Sequence, residues 1–236
     1  MIESSPVTVN ISSVSTPNDD FDKLVRGLQE TPYEEERGFG FSPEILEPTF
    51  ASGYLIMKKT VRIQDYDPES DTVQERDETR TELIPFRVNE ERGLLEVFSN
   101  KSDTKKVKTR LADLVDWDLT IHNIGFNLPV VYKYLRDGNH EISITSLRIS
   151  NFSVDQMAKG SAHLNVFGDS EADALVSDYG DDITHICAKV ETRTDEVTIG
   201  FYNTGSIRFY NSLRDDERML REIESAIADS GGIIYE

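Results

Sequence analysis

The chain has 236 residues, with 25 lysines and arginines against 44 aspartates and glutamates, which gives a formal net charge of −19. No apolar run approaches the roughly 18 residues that a membrane-spanning helix needs, so we expect no membrane partner. Cys187 is the single cysteine, which excludes an internal disulfide and a cysteine metal cluster. The N-terminal segment lacks a basic leader and an apolar stretch of the secretory type, which predicts a cytoplasmic protein.

The acidic residues are spread over nearly every predicted loop and helix instead of forming one block. Dispersed carboxylates are typical of a halophile's folded protein, whose surface must stay hydrated in concentrated salt. An ordinary acidic protein is the alternative. At low salt the net charge opposes binding of nucleic acid, because phosphates are repelled. At molar salt the Debye length falls to about 3 Å and only direct contacts count.

The first fifty residues predict little regular structure. Residues 1–16 hold one candidate strand, 7–11, and are otherwise rich in serine and threonine, so this end is predicted to be flexible. A helix is predicted at about 20–30, where apolar residues recur on one face. Three prolines and two glycines in residues 31–50 predict a loop. The apolar helix face consists of Phe21, Leu24, Val25 and Leu28.

Beyond this loop the hydrophobic period changes to two, which predicts strands. Residues 65–81 are a polar and charged excursion, which predicts a protruding loop or an extended hairpin. Strands are predicted at 82–88 and 93–98. A helix at about 103–115 follows, with Ser102 as its N-cap.

The remaining chain predicts three further helices and several strands. One helix is predicted at 127–136, with Pro129 tolerated in its first turn. An acidic helix is predicted at about 170–179, and Thr204 and Gly205 predict a two-residue hairpin turn. Strands are predicted at 119–124, 141–150, 162–167 and 184–191, and a last helix that buries Leu213, Leu220, Ile223 and Ile227 is predicted to end at Gly231 and Gly232.

Two segments, 82–115 and 196–229, follow the same plan of an alternating strand, a polar turn, a second short strand and a helix. Such a unit cannot bury its own apolar face, which indicates two related half-domains sharing one sheet. We therefore predict an α+β fold, with an antiparallel curved sheet and helices on one face. The predicted parts are a flexible N-terminus at 1–16, a first half-domain at 17–115, a connecting segment at 116–140 and a second half-domain at 141–236.

This order of helix, antiparallel meander and closing helix is similar to the half-repeat of the TATA-binding-protein fold. The resemblance is one of topology and covers roughly residues 17–229, while the excursion at 65–81 departs from it. It implies a saddle formed from two such halves, with one face of a curved sheet left open.

Catalytic motifs are absent from the sequence. The four histidines are isolated from one another, with no partner at metal-ligand spacing, and there is no phosphate-binding loop or serine nucleophile elbow. Asp178, Asp181 and Asp182 could hold a divalent cation, since hard cations prefer clustered oxygens, or could form a solvated turn. The sequence thus indicates no catalytic residue, metal or cofactor. This favours a non-enzymatic protein, with a carboxylate–metal hydrolase as the second alternative.

Positive charge is concentrated in one region. Residues 51–115 carry nearly equal numbers of basic and acidic residues, whereas acids outnumber bases more than twofold elsewhere. Outward cations beside aromatic rings are typical of nucleic-acid-binding surfaces, although a solvated sheet face with Tyr–Arg pairs would show the same pattern. The candidate binding residues are Lys58, Arg62, Arg87, Lys105, Lys106, Lys108 and Arg110 in the first half, and Lys189, Tyr202, Arg208 and Tyr210 in the second.

These observations predict a non-enzymatic binding module that uses an open β-sheet face. Nucleic acid is the expected partner, in gene regulation or genome defence of a halophilic archaeon. The first alternative is a structural or assembly protein that uses the same face as a protein–protein interface.

Overall fold

The fold of the chain is α+β, with a large antiparallel sheet and five α-helices in the described residues. None of these helices is long and apolar enough to cross a membrane. The computed structural model of the chain describes residues 7–16, 21–68, 71–116, 118–138, 141–155, 158–191, 196–210 and 217–235.

The described residues divide into two compact units. Unit 1 contains those of Met1–Ser13, Phe98–Asn100 and Ile121–Glu236, and unit 2 contains those of Val14–Val97 and Lys101–Thr120.

Unit 2 contains an antiparallel meander in which four strands pair in chain order. These strands are β2 (Phe39–Glu47), β3 (Phe50–Asp67), β4 (Thr72–Asn89) and β5 (Leu94–Val97), and the helices are α1 (Phe21–Glu30) and α2 (Lys101–Leu114). Helix α2 packs against β4 and β5, and α1 packs against α2 and β2.

The predicted first helix is confirmed as α1. Phe21, Leu24 and Leu28 are buried, as the spacing of apolar residues requires. Helix α2 is also present, but it begins at Lys101, so Ser102 lies in its first turn. The prediction that Ser102 is the N-cap was therefore wrong. The buried face of α2 includes Val107 and Leu111.

The prediction of a loop at 31–50 was wrong for β2. This strand pairs with β3 from Phe39↔Met57 onward, and its register shifts between Pro43 and Ile45. A proline is tolerated there because β2 is an edge strand and the shift marks a bulge. Gly40 is required by close packing, since a Cβ at this position would lie 2.3 Å from backbone atoms of Tyr33. Glycine and proline here mark a constrained edge strand.

The charged excursion at 65–81 is an extended hairpin, which is one of its two predicted forms. Strands β3 and β4 pair continuously from Phe50↔Asn89 to Asp67↔Thr72. Asp71 has a φ of 51° and closes the turn on the β4 side.

Unit 1 contains a larger antiparallel sheet with the strand order β1-β11-β10-β9-β7-β8, and β6 pairs with β12. Its strands are residues 7–13 of β1 (Val7–Ser15), residues 121–126 of β6 (Thr120–Phe126), β7 (Glu141–Asp155), β8 (Ala158–Asn165), β9 (Ile183–Glu191), β10 (Glu196–Tyr202), β11 (Ser206–Phe209) and β12 (Ile233–Tyr235). Its helices are α3 (Leu128–Asp137), α4 (Asp169–Tyr179) and α5 (Glu217–Asp229).

The helices of unit 1 form where the sequence predicts them. Helix α3 is N-capped by Asn127, whose side chain accepts a hydrogen bond from the Val130 N–H at 3.3 Å, and Pro129 lies in its first turn. Helix α4 matches the predicted acidic helix. Helix α3 packs on α5, β7 and β9, which places it over one face of the sheet.

Helix α5 buries the inward residues that its spacing predicts and that the structure describes, Leu220, Ile223 and Ile227. Leu213 lies outside the described residues. Gly231, just beyond the helix, has a φ of 68°, a conformation that favours glycine.

The two segments with the same predicted plan contain the same order of elements. Segment 82–115 contains the end of β4, a turn with Gly93 at a φ of 61°, β5 and α2. Segment 196–229 contains β10, a turn with Gly205 at a φ of 73°, β11 and α5. In both turns the positive φ favours glycine.

Candidate binding surface on the unit 1 sheet

The two faces of the unit 1 sheet differ in chemistry. On one face Ile142, Ile186 and Phe201 pack with Leu128 and Val131 of α3, and all five are buried. The alternating positions of β7 to β11 on the other face are polar, glycine or aromatic. We call this second face the platform and define it by Arg148, His163, His185, Cys187, Lys189, Gly200, Tyr202, Arg208 and Tyr210.

Strand pairing brings platform residues together from distant parts of the chain. Arg148 pairs with His163 of β8 on one side and with His185 of β9 on the other. His185 also pairs with Tyr202 of β10. Directly paired residues share a face, so these four side chains form one row across four strands.

A second row runs beside the first. Gly200 pairs with Arg208 of β11 and with Cys187 of β9. Tyr210 follows Arg208 by two positions, and its N–H donates to the Thr198 carbonyl at 3.0 Å. This places the tyrosine on the same face as Arg208.

The aromatic side chains of the platform contact one another. The rings of His185 and Tyr202 stack with centroids 4.4 Å apart and an interplanar angle of 24°. The hydroxyls of Tyr202 and Tyr210 lie 3.3 Å apart and share a hydrogen bond. The guanidinium carbon of Arg208 lies 5.3 Å from the centre of the Tyr210 ring, a cation–π distance. The four side chains therefore form one cluster.

Gly200 creates the space for this cluster. A Cβ at this position would lie 2.8 Å from His185 Nε2 and 3.2 Å from the Tyr210 ring. Since real Cβ atoms essentially never lie within 3.0 Å of another group, any larger residue must displace the His185 ring. The missing side chain lets both rings lie against β10.

The cluster is neutral at its rings and positive at Arg208. Burial, followed by the nearby His163 and Arg148, lowers the pKa of His185 from 6.5 to about 4, so the imidazole is uncharged at neutral pH. Burial and the hydrogen bond with Tyr202 raise the pKa of Tyr210 to about 12, so its phenol stays protonated.

Several polar groups of the platform have no partner within the described part of the chain. His185 Nε2 and Arg208 Nε are buried atoms without a hydrogen bond. Neither Arg148 nor Arg208 forms an ion pair among the described residues. Lys189, by contrast, pairs with Glu196 at 2.7 Å. Two arginines of this face thus keep an uncompensated charge.

Negative charge lies at one end of the platform. Glu191 pairs in register with Glu196 on one side and with Glu141 on the other, and all three are exposed. The arginine end and the glutamate end of the same face therefore have opposite potentials.

Most cations predicted for the first half are already neutralised in unit 2. Lys58 pairs with Glu35 at 3.6 Å, and Arg62 pairs with Glu75 at 3.4 Å and with Asp77 at 3.7 Å. These carboxylates compete with any anionic ligand.

Two of the basic residues of α2 show the same pattern. Lys106 pairs with the buried Asp103 at 2.7 Å, and Arg110 pairs with Asp113 at 3.2 Å. Burial lowers the pKa of Lys108, and Lys105 is exposed.

Arg87 does not point outward. It is 7 % exposed and has interactions within the fold, so the predicted outward position was wrong. Residues on both sides of it, Phe86 and Val88, are also buried, because β4 is covered on both faces at this point. Alternation alone cannot detect a strand that is buried on both faces.

The structure thus brings together the four candidates of the second half, Lys189, Tyr202, Arg208 and Tyr210. It adds Arg148, His163 and His185, which the sequence reasoning missed. Their signal was the alternation of polar residues along β7, β8 and β9, but the decisive information is which strands are neighbours.

The aspartates considered as a cation site do not form one. Among the described residues, no group of three His, Cys, Asp or Glu side chains is placed to hold a metal ion. The Asp182 carboxylate instead accepts a hydrogen bond from the Asn151 side-chain amide at 2.6 Å, while Asp178 and Asp181 are exposed.

Together these features define an α+β protein whose large antiparallel sheet carries a polar, aromatic face in unit 1. Comparison of the sequence with protein-family models and with curated proteins finds no match.

Proposed function

We propose that the chain is a non-enzymatic binding module that takes single-stranded nucleic acid on the platform. One observation carries the proposal: Arg148 and Arg208, which have no carboxylate partner among the described residues, share a sheet face with the ring cluster of His185, Tyr202 and Tyr210. Arginine supplies the counter-charge for phosphate, and flat rings supply stacking surfaces for bases.

The distribution of ion pairs favours the platform over unit 2. An arginine such as Arg62, held between Glu75 and Asp77, would have to exchange existing partners for a phosphate. Among the described residues Arg208 has no such partner to lose, and its buried Nε lacks an acceptor there. Leaving a buried donor unsatisfied costs about 1–3 kcal/mol, which a phosphate oxygen in contact with it would recover.

A single strand fits this surface better than a duplex. Bases of a duplex are stacked inside the helix, whereas unpaired bases can lie on exposed aromatic rings. The rings of the platform lie on one sheet face in contact with one another, and this face offers no helix or ribbon to enter a groove. The neutral imidazole of His185 can stack without repelling or attracting the backbone.

The setting of this function remains part of the proposal. A surface with a net charge of −19 suits a halophilic archaeon, in which the binding would take place in concentrated salt and serve regulation or genome defence. The two segments with the same order of elements support an origin by duplication into the half-domains 17–115 and 141–236. A saddle similar to the TATA-binding-protein fold is the corresponding proposal for the architecture.

The test is the binding of a fluorescently labelled single strand, measured by anisotropy in molar KCl, with the matching duplex as competitor. We expect the wild type to bind the single strand and the duplex to compete poorly. Arg208→Glu should abolish binding, because it places a carboxylate in the cluster. Arg62→Glu is the matched control and should bind like the wild type. Equal losses in both variants, or binding that survives Arg208→Glu, would exclude the platform.

A further inference from the structure

The outer part of the β3–β4 hairpin is a two-stranded ribbon that pairs with no further strand of the described residues. We call it the arm and define it as residues 58–67 and 72–81. Strand β2 pairs with β3 only as far as Met57, and β5 pairs with β4 only at 86–89. No other strand in the described part of the chain pairs with the arm. An isolated two-stranded ribbon is marginally stable in water, so a partner strand would stabilise it.

The β3 edge of the arm is open for strand pairing. The Lys58 N–H donates to the Gly38 carbonyl at 2.8 Å, so the backbone groups of Lys58 point away from β4. Because these groups alternate in direction along a strand, those of Thr60, Arg62 and Gln64 point outward on the same side. The β3–β4 register contains no bulge and β3 contains no proline, although both devices commonly protect free edges.

We propose that this edge pairs with the same edge of a second copy of the chain, antiparallel and about a two-fold axis at Arg62. The charge along the edge supports this partner. Lys58 and Lys59 lie at the base of the arm and Asp65 lies towards its tip. Antiparallel pairing places the basic half of one copy beside the acidic half of the other, whereas parallel pairing would place like charges together.

The direction of the backbone groups fixes the register. Outward groups must face outward groups, so Arg62 facing Arg62 of the second copy places Thr60 opposite Gln64. The same register places Lys59 opposite Asp65 twice by symmetry. Each can add a contact between the copies to the ion pair that it already forms in its own hairpin, Lys59 with Glu82 and Asp65 with Arg76.

Apolar packing and existing ion pairs support the same register. Val61 of one copy lies opposite Ile63 of the other, and both side chains are half-buried. They lie on the face of β3 opposite to that of Arg62. Each Arg62 on the axis already lies between Glu75 and Asp77 of its own hairpin, which offsets the repulsion between the two arginines. Three residues per copy then supply about six backbone hydrogen bonds. This predicts a weak dimer whose population depends on concentration.

The chain offers a matched pair of variants for the test. Thr60 and Thr79 face each other across the hairpin, and both are exposed. Since the backbone groups of both point away from the hairpin, a proline at either position leaves the β3–β4 hydrogen bonds in place. Thr60→Pro removes a donor from the β3 edge, and Thr79→Pro removes one from the β4 edge.

Sedimentation equilibrium in molar KCl measures the outcome. We expect the wild type and Thr79→Pro to reach about twice the 26.8 kDa mass of one chain as concentration rises. Thr60→Pro should stay at the monomer mass with an unchanged circular dichroism spectrum. A wild type that is monomeric at every concentration, or a loss of dimer in Thr79→Pro, would overturn the proposal.

Cross-linking tests the register independently of proline effects. In a Cys187→Ser background, Arg62→Cys places two cysteines about 5.5 Å apart across the axis, within the range of a disulfide. Asp77→Cys, the cross-strand neighbour of position 62, is the control on the opposite edge. Oxidation should give a disulfide dimer for Arg62→Cys alone. Equal cross-linking of both variants, or of neither, would refute the pairing.

Discussion

Replacing Arg208 by glutamine removes one positive charge from the platform and keeps a polar side chain of similar reach. The logarithm of the affinity for a single strand falls with the logarithm of salt concentration, with a slope of about −0.7 for each phosphate neutralised. The platform offers two arginines without an ion pair in the described structure, Arg148 and Arg208. The wild-type slope should therefore be about −1.4, so that tenfold more KCl weakens binding about 25-fold. Arg208→Gln should halve the slope, and the same change in salt should then weaken binding only about fivefold.

The assay is the anisotropy titration of a labelled oligonucleotide repeated from tenth-molar to molar KCl. Arg148→Gln should halve the slope as Arg208→Gln does, because neither arginine has a carboxylate partner among the residues that the structure describes. Arg62→Gln is the control, since Arg62 lies between Glu75 and Asp77 and should contribute nothing to the slope. A slope that Arg208→Gln leaves unchanged, or that Arg62→Gln reduces equally, would refute the argument.

Two further predictions concern the ring cluster. Gly200→Ala should lower the free energy of unfolding by about 1–3 kcal/mol, because its Cβ would lie 2.8 Å from His185 Nε2. The same variant should weaken oligonucleotide binding. Urea denaturation measures the stability, and Gly160→Ala is the control, since a Cβ at position 160 meets nothing within 4 Å. His185 has a pKa of about 4 in the folded protein, against an ordinary value of 6.5 that applies to the unfolded chain. Between pH 4 and pH 6.5 the unfolded chain therefore binds a proton that the folded protein does not bind. The stability of the fold consequently falls as the pH falls from 6.5 to 4. His185→Phe should reduce this loss by about 1 kcal/mol, a value discounted for the partial exposure of the imidazole, and an unchanged pH dependence would show that the ring titrates normally.

The helices could be predicted from the sequence because their signals are local. Apolar spacing in α1 and the combination of Asn127 with Pro129 at the start of α3 depend only on neighbouring residues. Strand β2 was not predicted, because its formation depends on contacts with residues outside the strand. Gly40 and Pro43 normally interrupt structure, and only the close approach of Tyr33 and the position of β2 at an edge make them compatible with a strand.

The platform could be predicted only in part. Alternation along β9 to β11 placed Lys189, Tyr202 and Arg208 on one face, because a period of two is readable within each strand. Arg148 and His163 were missed because β7 lies between β9 and β8 in the sheet, an order that the chain does not follow.

The ion pairs also could not be predicted from the sequence. Arg62 meets Glu75 and Asp77 only because the hairpin register brings them opposite one another. The basic region of the sequence is therefore largely neutralised in the structure. The candidate binding surface therefore lies outside residues 51–115, in a part of the sequence in which acidic residues outnumber basic ones.

The excess of acids strengthens the case for the platform. With 44 acidic side chains for 25 basic ones, carboxylate partners are plentiful, so an arginine without one in the described part of the chain is held apart from those carboxylates by its place in the sheet. The row of Glu141, Glu191 and Glu196 repels an anion at the other end of the face. Arg208 on β11 and Arg148 on β7 are three strand spacings apart, or about 14 Å. A bound phosphate backbone is thus directed across the strands between these two arginines and over the rings that lie between them.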